Sequence, residues 1–169
     1  MLVFLDFEAS SLSKFSYPVE VGWVFEDGLG ESHLIRPAPA WTEWDAAAEA
    51  THGISRDLLE RDGLPVERVC DKVVRLFDDN RVFASAPSWD GHWLSMLLRA
   101  AGRPRHLVRL MGTEVAFLEA AHDAAGDAAD TIAAARREVE VLPVVHRALA
   151  DARREREIWL AVRRLSGRA

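Results

Sequence analysis

The feature that most constrains this chain is its opening, LVFLDFEASSL, an apolar run of buried-strand character interrupted by Asp6 and Glu8. Side chains alternate along a strand, so residues two apart leave the same face about 7 Å from one another. Two like charges on one face of a core strand are costly unless something positive lies between them. The natural candidate is a divalent metal ion.

The rest of the chain can build the core such a strand needs. Its 169 residues suit one domain, expected to span 1–169, and 49% apolar with 28% charged residues exclude a disordered chain. The single cysteine, Cys70, rules out an intrachain disulfide and points to a reducing compartment. The N-terminus lacks a cationic leader, and no apolar run approaches the roughly 18 residues of a membrane span. A cytoplasmic protein without membrane contact is expected. The net charge of −6 argues against a generally basic nucleic-acid binder, but 17 acids oppose 9 Lys/Arg in residues 1–100 and 10 oppose 12 Arg in residues 101–169. The bland reading of RREREIWLAVRR, a solvated helix face, is favoured on sequence alone.

Periodicity places the elements. Residues 2–7 read as a strand, PVEVGWVFEDG as a second ending in an Asp-Gly turn, and ESHLIRP as its hairpin partner. From Trp41 to Asp79 the pattern is helical, with Val66, Val69, Val73, Val74 and Phe77 at helical spacing after Pro65. RVFASA reads as a fourth strand, a helix runs from about Asp90 to Ala101, HLVRLMG offers a short fifth strand, and the Ala-rich remainder is helical. The sum is an α/β fold, a five-stranded mixed sheet flanked by helices on both faces, with its strand order left open.

Further polar residues join the opening pair. Asp90 follows the fourth strand, where a helix cap is the commoner role of a single aspartate. His146 and Asp151 in HRALADA are five positions apart, about 140° around a continuous helix, so they cooperate only if His146 precedes the helix. Pro143 makes a break there plausible. His52, in THGIS, fits a Gly-containing turn, and the histidines at 33, 92, 106 and 122 read as structural or exposed.

LDFEASSL, THGIS, VFASAPSWDGHWL and HRALADA occur in the order seen in the DEDD superfamily of 3′–5′ exonucleases. From residue 2 to about 155 the chain resembles its histidine-containing, DnaQ-like (DEDDh) branch, which has a ribonuclease H-like fold. The resemblance implies that Asp6, Glu8, Asp90 and Asp151 hold two divalent ions, Mg²⁺ or Mn²⁺, that make four converging carboxylates tolerable. It makes His146 the general base, suited by a reference pKa of about 6.5. The expected reaction is hydrolysis of single-stranded DNA or RNA from its 3′ end, releasing nucleoside 5′-monophosphates. Ala9 and Ser10 through Leu12 would line the substrate pocket, Leu12 wedged at the last base, with His52 and Trp93 flanking the terminal nucleotide. Core packing accounts for Trp93 equally well.

Glu20 and Gly22 match the family's Ile-Glu-x-Gly strand pattern. A sister branch with a tyrosine near the last aspartate is excluded, because Tyr17 is the only tyrosine. Where relatives carry His-Asn before the second acid, this chain has Ser85-Ala86, and residues 112–143 depart from the family's pattern. Small stand-alone relatives are often dimers; six tryptophans suit a homodimer interface or a core. The alternatives are a catalytically silent nuclease-like binding module and an unrelated α/β domain whose four acids lie more than about 10 Å apart, too far for a two-metal centre.

Overall fold

The computed structural model describes residues 1–122, 126–140 and 146–167. The strands are β1 (Leu2–Ala9), β2 (Pro18–Phe25), β3 (Gly30–Leu34), β4 (Arg81–Ala84) and β5 (Met111–Gly112). They form one sheet in the order β3-β2-β1-β4-β5, antiparallel among β1, β2 and β3 and parallel among β1, β4 and β5. The helices are α1 (Ala46–His52), α2 (Arg56–Asp62), α3 (Val66–Arg75), α4 (Pro87–Ala100), α5 (Thr113–Ala121), α6 (Ala128–Glu140) and α7 (Ala148–Leu165). The expected five-stranded mixed sheet is therefore present, with β1 at its centre.

Local chemistry explains most boundaries. Gly28, at φ +96°, turns the β2–β3 hairpin, and Phe25 N–H donates to the Leu29 carbonyl at 2.8 Å. The helical stretch expected from Trp41 begins only at Ala46, after Asp45 caps it, and is cut into three by Gly53 in the left-handed region and by Gly63 with Pro65. HLVRLMG contributes only Met111 and Gly112 to the sheet, because the Leu107 N–H closes a turn on the Pro104 carbonyl. α4 starts three residues earlier than expected, at Pro87, so Asp90 lies in its first turn without being its first residue.

Alternation along β1 divides the core. Val3, Leu5 and Phe7 join one apolar cluster with residues of α3 and α4, while Phe4 joins Phe83, Phe117 and Trp159 on the opposite face, toward α5, α6 and α7. The Phe4 and Trp159 rings meet at 5.9 Å. Asp6 and Glu8 continue the Phe4 face, so the acids point toward α7. Trp23, Trp41, Trp93 and Trp159 are buried and Trp44 packs against the core. These five tryptophans therefore build the core, leaving only Trp89 exposed among the six, and they offer no support for a homodimer interface. Among the described residues no helix is long and apolar enough to cross a membrane.

Candidate active site

β1 and α7 run side by side in a register that explains the site. Two residues of strand advance about 6.6 Å and four residues of helix about 6 Å, so every second β1 residue meets every fourth α7 residue. Phe4 meets Trp159, and two turns back Asp151 approaches Glu8. The carboxylate oxygens of Asp6, Glu8 and Asp151 lie within 4.8 Å of one another. For these three, the wide separation expected of an unrelated domain does not hold.

Asp90 stands beside this trio, outside its mutual 4.8 Å spacing. It is 1% exposed, and its Oδ2 accepts the Ala86 N–H at 3.2 Å. The aspartate thus serves the start of α4 while its charge acts on Asp6. Ala86 supports Asp90 through its backbone alone.

Burial pushes the Asp6 carboxyl well above the usual carboxylate range, and Asp90, Glu8, Asp151 and Glu155 reinforce it by like-charge repulsion. Glu8 is pushed up to about 7 by burial and then by Asp151 and Glu20, against Arg147. Asp90 is pushed up to about 7 by burial, opposed by the backbones of Ala86 and Phe7. Asp151 is raised by burial, with His146 and Arg154 pulling it down. This cluster is frustrated as protein alone, and its donors are all hard oxygens, the ligand type that suits Mg²⁺ or Mn²⁺.

His146 precedes α7 and is exposed, the position from which the five-residue spacing lets it act with Asp151; Pro143, the expected cause of the break, lies outside the described residues. The start of α7 is seated on β2. Glu20, buried, accepts Arg147 Nε at 3.0 Å, Arg147 Nη2 at 2.6 Å and the Ala148 N–H at 3.0 Å. Gly22, paired with Asp6, leaves room for the Ala148–Leu149 backbone.

Next to Glu8 opens a cleft of about 330 Å³ lined by Ala9, Ser11, Leu12, His52 and Trp93 among others. Leu12 is 72% exposed at the edge of this cleft. His52 is buried; its Nδ1 accepts the Ile54 N–H at 3.0 Å, which puts the proton of the neutral ring on Nε2, and Nε2 has no hydrogen-bond partner among the described residues. Burial lowers its pKa, against the Ala9 backbone. Trp93 is both cleft wall and core residue, its indole N–H donating to Ser16 Oγ at 2.9 Å. Ser10 does not line the cleft, contrary to expectation: it is fully buried and its hydroxyl donates to Glu43 at 2.6 Å.

Two acids escaped the sequence reading. Glu43 gathers the hydroxyls of Ser10, Ser11 and Ser13 on one carboxylate, pinning the loop that carries Leu12. Glu155, one turn beyond Asp151, carries a carboxyl raised by burial and held by Thr113, and it repels both Asp6 and Asp90. The i, i+4 spacing was the available signal. RREREIWLAVRR is therefore more than a solvated face: Glu155 turns inward and Arg156 Nε donates to the Glu26 carbonyl at 3.0 Å.

No protein-family model and no curated protein matches this sequence. Solved structures do. The zinc-bound E. coli ExoI–ssDNA complex superposes with a TM-score of 0.72 at 12% identity, covering 99% of this chain and 41% of that one. A product-bound exonuclease I gives 0.69 at 12% over 96% of this chain and 43% of that one. E. coli exonuclease I with a dT13 oligonucleotide gives 0.67 at 13% over 95% and 40%. This chain thus spans about two-fifths of those proteins. With its sheet order and its two helical layers, it has the ribonuclease H-like α/β fold that exonuclease I displays.

Proposed function

We propose that this chain is a divalent-metal-dependent 3′–5′ exonuclease that hydrolyses single-stranded nucleic acid to nucleoside 5′-monophosphates. One observation carries the reading: carboxylates from β1 and α7 converge to within 4.8 Å beside a cleft, on a fold shared with exonuclease I. Asp6, Glu8 and Asp151 would hold the ions, with Asp90 completing the set. When bound, two Mg²⁺ or Mn²⁺ ions would supply phosphate charge neutralisation and an activated water.

The residues around the ions divide the remaining work. His146, outside the helix and exposed, would take a proton from the attacking water, a role supported by its lowering effect on the Asp151 carboxyl. Leu12 and Trp93 would bracket the terminal base. His52 Nε2–H, buried and without a hydrogen-bond partner among the described residues, would offer a donor to the sugar or phosphate.

The test uses 5′-labelled DNA and RNA oligonucleotides of matched sequence, which also decides between the two polymers. A ladder shortening from the 3′ end with Mg²⁺ or Mn²⁺, abolished by EDTA and by Asp6→Ala, is expected. His146→Ala should lower the rate by about 10²–10⁴-fold. Full activity in Asp6→Ala would overturn the assignment, and oligonucleotide binding without cleavage would mark a silent binding module.

A further inference from the structure

A ring stack links the cleft beside Glu8 to a second surface, made by α4 and the loop after β1. Trp93, a wall of that cleft, stacks on Trp89 with ring centroids 5.7 Å apart and planes 27° from parallel. Trp89 is 38% exposed and borders a hollow of about 330 Å³ shared with Lys14, Ser88 and His92. His92 meets Trp89 edge-on at 6.5 Å and is anchored near the Ser16 carbonyl. The Lys14 ammonium lies 5.0 Å over the ring of Phe15, which is 67% exposed.

Exposed rings beside a cation, on a chain of net charge −6, match a ligand that alternates flat apolar groups with anions. Single-stranded nucleic acid does this: bases stack on aromatic faces whatever their identity, and phosphates pair with ammonium groups. We propose, granting the exonuclease reading, that Trp89 and Lys14 form the subsite for the nucleotides upstream of the 3′-terminal one. The strand then runs from the Glu8 cleft across the Trp93–Trp89 stack toward Phe15. The competing route is the other flank of α4, a hollow of about 260 Å³ lined by Arg105, His106 and Arg109. Neither hollow shares a lining residue with the Glu8 cleft, but the Trp89 hollow is joined to it by the stack of Trp89 on the cleft wall Trp93, whereas in the other hollow Arg105 Nε is already engaged with His106 at 2.7 Å.

The test compares KM for a dinucleotide and a hexanucleotide in wild type, Trp89→Leu, Lys14→Gln and Arg109→Gln, together with hexanucleotide affinity by fluorescence anisotropy in EDTA. Wild type should favour the hexamer, and Trp89→Leu should shrink that preference by about five- to tenfold, the loss of one base–aromatic stack. Lys14→Gln should reduce the salt dependence of hexamer binding. Equal changes at both lengths in Trp89→Leu, or a length preference lost only in Arg109→Gln, would overturn the proposal. Trp89-dependent binding without any cleavage would sustain this subsite while the exonuclease reading fell; hexamer binding indifferent to Trp89 and Lys14 would sink the subsite alone.

Discussion

Glu20 and Arg147 form an asymmetric ion pair: the Glu20 side chain is 2% exposed and that of Arg147 44%. The two truncations should therefore differ. Glu20→Ala leaves a guanidinium that water can solvate and an unpartnered Ala148 N–H, a cost of about 1–3 kcal/mol. Arg147→Ala strands a carboxylate in the core and should cost about 3–5 kcal/mol. Urea denaturation of both variants checks the order, and an equal or larger loss in Glu20→Ala contradicts it.

Gly22 controls how closely α7 approaches the sheet. A Cβ there would stand 2.5 Å from the Ala148 carbonyl carbon and 2.6 Å from Leu149 Cα, both backbone atoms that cannot rotate away. Gly22→Ala should cost about 1–3 kcal/mol by overpacking and push Asp151 away from Asp6 and Glu8. Calorimetric Mn²⁺ titration should show weakened binding. Unchanged Mn²⁺ affinity in a folded Gly22→Ala protein would mean that this approach does not set the metal geometry.

Strand alternation was enough to place Asp6 and Glu8 on one face, and helical geometry put His146 outside α7 on the condition that it act together with Asp151. Both are local rules acting over a few residues. Glu155 was hidden because its inward orientation depends on which helix packs on β1 and in what register, and because Arg153, Arg154 and Arg156 around it make the stretch look solvated. Glu43 was hidden for a different reason: it sits in a loop without periodicity and acts on hydroxyls some thirty residues earlier in the chain. Ser10 was misplaced by the same blindness, since nothing in ASSL shows which serine turns inward.

The acidic cluster should make stability depend on pH in a direction set by metal. Glu8 and Asp90 are raised from 4.5 and 3.8 to about 7, so they bind protons more tightly folded than unfolded. Their contribution is full below about pH 4 and is lost as pH rises through about 7. In EDTA, wild type should lose stability relative to Glu8→Gln between pH 5 and 8, a comparison of about one titrating group that cancels His52, whose lowered pKa acts in the opposite direction. Mn²⁺ favours the ionised carboxylates, so the rise in Tm on adding it should grow over the same interval. A Mn²⁺ effect that is flat with pH, or wild type gaining on Glu8→Gln in EDTA, would rule this out.

Glu43 should control substrate affinity more than turnover. It touches none of Asp6, Glu8, Asp90 and Asp151, but its carboxylate holds Ser10 and Ser13 at 2.6 and 3.0 Å and also accepts from Ser11, and these bonds flank Leu12 on both sides. The same bonds hold its pKa below the usual glutamate value against the opposing effect of burial, so it is a charged acceptor at neutral pH. Charge-assisted hydrogen bonds contribute about 1.5–3 kcal/mol each, and Glu43→Gln retains the shape while removing the charge. A loosened loop pays an ordering cost each time Leu12 engages the terminal base, so KM should rise by about tenfold, near the lower end of one such bond, with kcat changed far less. Steady-state kinetics on a short oligonucleotide separate the two parameters. An equal fall in kcat with unchanged KM would place Glu43 in support of the carboxylates instead of the loop, and Glu43→Asp, which keeps the charge on a shorter arm, should recover part of the lost affinity.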